Sequence, residues 1–190
     1  MRNENDRAFK EWAVACRAME RGRQTLLVRK GGIYEEGGVF TIADREFFLM
    51  PTYEHQKAEL LQPELVADLD ELTAAAHSPD EILISAYAVV DTIAEAKDED
   101  QVMALAAEHI WNEVYVKMRF DFNPYDPVYL ILLRVYRLPR PFTVPMRREY
   151  EGCKSWVTLE SPLATAGAAP VLSDAEFELR KARIAGLSAL

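Results

Sequence analysis

The chain has 190 residues, of which 49% are hydrophobic, 28% charged and 10% aromatic, and its formal net charge is −9. This apolar content supports one folded core and excludes a wholly disordered chain, while 8 Gly, 10 Pro and 2 Cys exclude a collagen-like or disulfide-stapled scaffold. No stretch reaches the roughly 18 apolar residues of a transmembrane helix and the polar start lacks a signal core, so we expect a cytoplasmic protein without membrane contact.

Apolar spacing and glycines predict the elements of the first third of the chain. Apolar residues at three- and four-residue steps from Phe9 to Met19 predict a helix, capped by Asp6 and ended by Gly22. Paired glycines further on indicate turns between short strands. The β-favouring runs cover residues 24–29, 39–42 and 46–50.

The middle of the chain predicts two helices and two long strands. Pro63 opens a helix that ends before a Ser-Pro break, and a second helix is expected over residues 101–119. Residues 82–94 alternate with one wholly apolar face, which is typical of a strand. Residues 128–135 are apolar on both faces at first and predict a central strand, after which prolines keep the chain extended.

The C-terminal part predicts a linker followed by a helix. Residues 161–172 are rich in Ala, Pro and Gly without periodicity, and the capping-box sequence Ser173-Asp-Ala-Glu176 opens a helix to about Ala185. Its thin apolar stripe suits contact with a neighbour, a protein partner or a second copy. The predicted divisions are one α+β domain over residues 1–160, a linker over 161–172 and a helical appendage over 173–190.

Acidity is confined to the middle of the chain. Residues 57–108 carry 13 acidic and 2 basic groups, whereas the flanking segments are nearly balanced. Two stretches, residues 17–30 and 117–154, are locally basic. If they meet in the fold, an acidic protein presents a local site for phosphate; otherwise they form a mixed, solvated surface.

Sequence fingerprints of common enzymes are absent: there is no P-loop, no G-x-S-x-G, no H-E-x-x-H and no G-x-G-x-x-G. Asp80 with Glu95-Ala-Lys97 has the form of a PD-(D/E)xK nuclease motif, but its carboxylates flank one predicted strand and would lie about 50 Å apart. Cys16 and Cys153 match no metal-binding spacing. We therefore expect no disulfide, no structural metal and no cofactor.

Two chemically dense segments predict a binding site. Residues 27–33 and 45–56 combine cations, a phenol, an imidazole and an amide, and the glycine-bounded stretch between them can fold back as a hairpin. Trp111 or Tyr115 would wall the pocket. The expected cleft residues are Arg29, Lys30, Arg45, Tyr53, His55 and Gln56.

Three functions fit these residues. The first, which we favour, is a binding module for RNA or a nucleotide-like ligand, in which Arg29 and Lys30 supply charge for phosphate. The second is a regulatory or scaffolding protein without a small ligand, whose acidic middle segment and C-terminal helix contact other proteins. In the cleft itself, the alternative to ligand binding is that Arg29 and Arg45 only pair with glutamates across the sheet. The third is a metal-assisted phosphodiesterase or other hydrolase that uses Glu35, Glu46, Glu54 and His55.

Five blocks of sequence, at residues 11–15, 27–33, 45–56, 109–111 and 132–139, resemble an uncharacterised microbial family, domain of unknown function 1802. The resemblance spans about residues 8 to 160. The resemblance implies candidate positions for a functional site, and it implies no mechanism.

A second resemblance bears on the fold. Residues 22–29, Gly-Arg-Gln-Thr-Leu-Leu-Val-Arg, are similar to the G-x-K-x-x-E-x-R element of ASCH domains, PUA-like β-barrels that bind RNA or modified nucleotides. Gly22 and Arg29 match, whereas Gln24 and Leu27 replace the lysine and the glutamate, which argues against the amidohydrolase chemistry of some ASCH proteins. The resemblance implies an α+β fold with a small mixed β-barrel or strongly curved sheet flanked by helices.

Overall fold

The computed structural model describes residues 1–30, 35–36, 39–40, 44–75, 77–152 and 154–188. Within these ranges no helix is long and apolar enough to cross a membrane. The strands are β1 (Glu4–Trp12), β2 (Leu26–Arg29), β3 (Glu35–Glu36), β4 (Val39–Phe40), β5 (Glu46–Thr52), β6 (Glu81–Ala96), β7 (Val128–Pro145), β8 (Trp156–Ala164) and β9 (Ala169–Pro170). The helices are α1 (Ala13–Glu20), α2 (Val66–Ala74), α3 (Glu99–Met103), α4 (Glu113–Asp121) and α5 (Asp174–Ser188).

One curled sheet organises the fold. Its strand order is β2-β7-β6-β5-β1-β8, with β9 pairing with β7, while β3 and β4 form a separate pair. Neighbouring strands are antiparallel except β1 and β5, which are parallel. Arg29 of β2 donates from Nη2 to the Lys10 carbonyl of β1 at 3.1 Å, although three strands separate β2 from β1 in the sheet order. The sheet therefore curls until its two sides meet, which confirms the expected α+β fold with a strongly curved sheet.

Apolar side chains are buried on both faces of this sheet. Phe47 and Leu49 of β5 belong to the larger core cluster, and Phe48 and Met50 belong to a second cluster on the other face. Successive residues of a strand point to opposite faces, so a strand covered on both sides becomes an uninterrupted apolar run. The larger cluster includes residues of α1, α4 and α5, and the second cluster includes residues of β8.

The first predicted helix is wrong in its N-terminal half. Residues 4–12 form β1, which lies between β5 and β8, and the helix begins only at Ala13. Strand pairing on both sides overrides the helical spacing of the apolar residues. The end of α1 agrees with the prediction: Gly22 has φ 70°, and Arg23 N–H donates to the Ala18 carbonyl at 2.9 Å, as in a Schellman motif.

The helix predicted over residues 101–119 is broken into α3, a 3-10 turn and α4. Trp111 forms a β-bridge with Leu61 inside this range, and the Gln62 side-chain amide donates to the carbonyls of Ala106 and His109 at 2.9 and 3.0 Å. These contacts fix an extended segment, after which a new helix needs its own cap. The other elements expected in the middle of the chain are confirmed, because residues 82–94 lie within β6, residues 128–135 within β7, and a 3-10 turn starting at Pro63 leads into α2.

Residues 161–172, expected to be an irregular linker, contain the end of β8 and the short strand β9. The capping box is formed, since the Ser173 backbone N–H donates to Glu176 Oε2 at 2.9 Å and the Glu176 backbone N–H donates to Ser173 Oγ at 3.3 Å. Helix α5 buries Phe177 and Ile184 against its own chain. A domain boundary at residue 160 and a partner for the helix stay predictions, and the predicted glycine turns lie outside the described residues.

Candidate functional site

A cleft of about 500 Å³ lies where the sheet closes on itself. The ends of β1, β2 and β5 form one side, α4 and the residues flanking it form another, and residues 152–155 before β8 complete it. The cleft therefore draws on segments from the start, the middle and the end of the sequence.

Positive charge dominates this cleft, although the protein is acidic overall. Arg29 and Lys30 come from the first basic stretch of the sequence, and the two further cations of α4 and residue 154 come from the second, so the two stretches meet here. Cations packed around a concave surface favour phosphate and other anions. The lining cations are Lys10, Arg29, Lys30, Arg119 and Lys154, against the carboxylates Glu11 and Glu54.

Arg29 is fixed at the back of the cleft with part of its hydrogen-bonding capacity unused. Its guanidinium carbon lies 4.5 Å from the centroid of the Phe9 ring, and Nη2 lies 3.6 Å from Glu11 Oε2. Its Nε is buried and has no hydrogen-bond partner among the described residues, and the same holds for Arg119 Nε. Both arginines line the cleft, and a guanidinium is a cation with five N–H donors, so these two groups favour an anionic acceptor.

The two buried or half-buried lysines of the cleft are oriented by backbone carbonyls. Lys10 Nζ donates to the carbonyls of Tyr150 and Gly152, both at 2.8 Å, and Lys30 Nζ donates to the Phe120 carbonyl at 2.9 Å. Carbonyl partners direct an ammonium without neutralising its charge. Because an ammonium carries three N–H groups, each lysine keeps at least one donor for a ligand.

Aromatic rings form the wall and rim of the cleft. Trp111 and Tyr115 are buried and stack at 3.8 Å between ring centroids, and Trp12 meets Trp111 edge-on at 5.2 Å. Burial raises the pKa of the Tyr115 phenol, which stays protonated. At the rim, His55 is exposed and Phe122 is 64% exposed, so both present ring faces to a ligand.

His109 holds Trp111 in place. The backbone N–H of Trp111 donates to His109 Nδ1 at 3.2 Å. The imidazole proton is therefore on Nε2, which donates to the Val102 carbonyl at 3.0 Å. Burial lowers the pKa of His109, against the raising effect of these hydrogen bonds. The neutral imidazole is therefore a structural element behind the aromatic wall.

Four of the seven expected binding residues line this cleft, and three do not. Arg45 precedes β5 at the end opposite the cleft and donates to the Asp91 carbonyl at 3.2 Å. Gln56 Oε1 accepts from Val14 N–H at the start of α1, and Tyr53 lines a separate pocket. The stretch between the two dense segments contains the antiparallel pair of β3 and β4, but β2 and β5 are not neighbours in the sheet, since β7 and β6 lie between them. The residues that do line the cleft are Arg29, Lys30, His55 and Trp111.

Several cleft residues were not predicted. Arg119 and Lys154 belong to the second basic stretch, and Trp12 belongs to a block that resembles the family, so each carried a sequence signal. Lys10 carried none, because its segment was assigned to a helix and it lies in β1.

Two carboxylates of the hydrolase alternative, Glu46 and Glu54, lie at opposite ends of β5. Glu46 begins β5, where Oε2 accepts from the Arg2 N–H at 2.7 Å and the Tyr87 hydroxyl at 3.0 Å, whereas Glu54 follows the end of that strand. The side chain of Glu35 lies outside the described residues. Among the described residues, no three His, Cys, Asp or Glu side chains form a group that could hold a metal ion. In the nuclease-like motif, Asp80 and Lys97 flank the single strand β6, as expected. Cys16 is a buried free thiol, and Cys153 lies outside the described ranges.

Comparisons with known proteins give a family and a set of distant structural likenesses. The family described as domain of unknown function, DUF1802, matches residues 8–183, which confirms the first resemblance seen in the sequence. A crystal structure of a mutant ASCH protein from Zymomonas mobilis is similar at 11% identity, with a TM-score of 0.46, over 84% of this chain and 92% of that one. Another ASCH structure from the same organism is 12% identical, with a TM-score of 0.44, over 93% of this chain and 92% of that one. No curated protein matches the sequence.

Proposed function

Because the chain belongs to DUF1802, a family of domains of unknown function, we propose a function from the cleft alone: it binds single-stranded RNA or a nucleotide-like ligand. The observation that carries this proposal is that five cationic side chains and five aromatic rings, including the His55 imidazole, line one cleft beside only two carboxylates. Phosphate and planar rings are the two components that such a lining recognises.

Charge restricts where such a ligand binds. The net charge of −9 repels a polyanion from most of the surface, while the cations of the cleft attract it locally. Binding is therefore confined to the cleft instead of being spread over the surface. A cytoplasmic location, expected from the sequence, belongs to this proposal.

Rings at the rim provide the second component. Phe122 and His55 are exposed beside the cations, so a base can stack on either while its phosphate lies deeper in the cleft. The buried pair Trp111 and Tyr115 supports this wall and is not itself accessible for stacking.

Fluorescence anisotropy with a short, labelled single-stranded RNA tests the proposal, measured over a series of salt concentrations. The variant Arg119→Ala with Lys154→Ala removes two cations from the cleft, and Lys97→Ala with Arg140→Ala removes two exposed cations outside its lining. Each cation that no longer neutralises a phosphate reduces the slope of log K against log salt by about 0.7, so the slope of the cleft variant should fall by about 1.4. The control variant should keep the slope of the parent.

Absence of RNA binding by the parent at low salt contradicts the RNA form of the proposal, and absence of binding by nucleotides as well contradicts the proposal as a whole. So does an equal reduction of slope in the cleft variant and the control variant, because it shows that only total charge matters. Melting curves of both variants establish that the compared proteins are folded.

A further inference from the structure

A second pocket of about 200 Å³ opens beside the cleft and shares Lys10, Thr52 and Glu54 with it. We propose that this smaller pocket is a base subsite, which holds an amino-bearing nucleobase of the ligand whose phosphate lies in the cleft. The proposal rests on the proposed function and specifies the ligand further.

The lining of the smaller pocket differs in kind from that of the cleft. Met50, Ile82 and Met146 provide apolar surface, and Lys10 is the one Lys or Arg side chain among its lining residues. A second phosphate would find no other such partner there. A neutral, planar group matches this lining, and the volume is adequate for one base.

A stacked pair of rings stands in this pocket. The centroids of Tyr53 and His77 lie 3.9 Å apart and the planes are inclined by 13°. Tyr53 follows β5 and His77 lies in the segment before β6, so two different parts of the chain hold the pair. Tyr53 is 38% exposed, which leaves ring surface for a third ring to extend the stack.

Carboxylates select the kind of base. Glu54, Glu81 and Glu151 line the pocket, and none of them forms an ion pair within the described part of the chain. A carboxylate is only an acceptor, so it favours a base with an exocyclic amine and repels a carbonyl oxygen at the same ring position.

Lys10 joins the two compartments. Its Nζ donates to the carbonyls of Tyr150 and Gly152, and its third N–H remains for the ligand. A phosphate or ribose oxygen at this point links the cationic cleft to the base pocket. One nucleotide can thus occupy both compartments.

Isothermal titration calorimetry at low salt with AMP, IMP and ribose 5-phosphate tests the subsite. AMP and IMP differ in an amine against a carbonyl oxygen, and ribose 5-phosphate lacks the base. We expect AMP to bind more tightly than IMP, and ribose 5-phosphate to bind most weakly. Tyr53→Ala with His77→Ala should weaken AMP binding about tenfold or more, because the base no longer stacks, and leave ribose 5-phosphate binding unchanged.

Two further variants separate the contributions. Tyr53→Phe keeps the ring and should retain AMP affinity, whereas Glu81→Gln with Glu151→Gln, which leaves only Glu54, should reduce the difference between AMP and IMP. Equal affinities for AMP and ribose 5-phosphate overturn the subsite while the anion-binding cleft stands. Equal affinities for AMP and IMP overturn the selection of an amine, and no binding of any phosphate-bearing probe, including RNA, overturns the proposed function itself.

Discussion

Helix α5 is held on the domain by a buried carboxylate, and removing its cationic partners should destabilise the whole protein. Glu108 is 1% exposed. Its Oε1 accepts from Arg183 Nη1 at 2.9 Å, and its Oε2 accepts from Arg180 Nη1 at 3.2 Å and from the Thr25 hydroxyl at 3.0 Å. Replacing both arginines by Met keeps their aliphatic bulk and leaves this carboxylate with Thr25 alone.

The magnitude follows from the burial of each partner. Breaking a fully buried ion pair by removing one side costs about 3 to 5 kcal/mol, and an exposed pair contributes about 0.2 to 1 kcal/mol. Arg180 is 22% exposed and Arg183 60% exposed at their side chains, so Arg183→Met alone belongs to the lower range and Arg180→Met lies between the two. For the double variant we expect a decrease of about 3 kcal/mol in the free energy of unfolding.

Urea denaturation measures this decrease, and thermal melting should show a shift of about 6 to 12 °C to lower temperature, at roughly 2 to 4 °C per kcal/mol for a chain of this size. Adding Glu108→Gln to the double variant removes the unpaired charge and should restore most of the stability. A double variant within about 1 kcal/mol of the parent, or no recovery with Glu108→Gln, would refute the reasoning.

Three further perturbations probe the core, a turn and a buried imidazole. Because burial lowers the pKa of His109 below its ordinary value of 6.5, the unfolded chain binds the extra proton more readily. The folded protein therefore loses no stability through His109 above about pH 6.5, and it loses stability as the pH falls from there toward the lowered pKa of the folded state. His109→Gln should reduce this acid dependence of the melting temperature. Gly22→Ala places a Cβ 2.8 Å from Leu172 Cδ2 at φ 70° and should cost about 1 to 2 kcal/mol, measured by urea denaturation. Leu132→Asp buries a carboxylate in the core and should abolish the folded circular dichroism spectrum, since that cost of several kcal/mol or more rivals a total stability of about 5 to 15 kcal/mol.

Each of these has an outcome that would contradict it. An acid dependence of the melting temperature that is the same in His109→Gln as in the parent would argue against the role of His109. Gly152→Ala has a similar φ of 81° without any atom within 4 Å of the added Cβ, so a destabilisation as large as that of Gly22→Ala would show that the Leu172 contact is unimportant. Leu132→Met should remain folded, and a folded Leu132→Asp protein would contradict the burial argument.

The elements predicted from sequence are those whose pattern is local and long. The central strands β6 and β7 contain runs of apolar residues that are buried against both clusters, and such runs are informative without knowledge of their partners. Strand β1 was missed because it passes into α1 without a break, between Trp12 and Ala13. The apolar residues of β1 and those of α1, taken together, then follow one another at steps of three and four residues, which is the spacing of a single helix.

Candidate site residues divide in the same way. Arg29 and Lys30 were found because charge and apolar residues are dense around them in the sequence. The grouping with Lys10 and Lys154 depends on the curl of the sheet and on strand order, which no local pattern encodes. Arg45 was placed in the cleft on the assumption of a hairpin, and the direction of β5 instead carries it to the far end of that strand.

The position of β1 between β5 and β8 also determines when the protein can fold. During synthesis β1 leaves the ribosome before both of its partners, which end at residues 52 and 164. The pairing of β6 with β7 needs only sequence up to residue 145, so we expect that hairpin to form first and β1 to be enclosed last. Contacts between such distant segments slow folding, and an unpaired β1 is exposed meanwhile to pairing with other chains. We therefore expect the cleft, which includes Lys10 and Lys154, to be assembled only in the final step of folding.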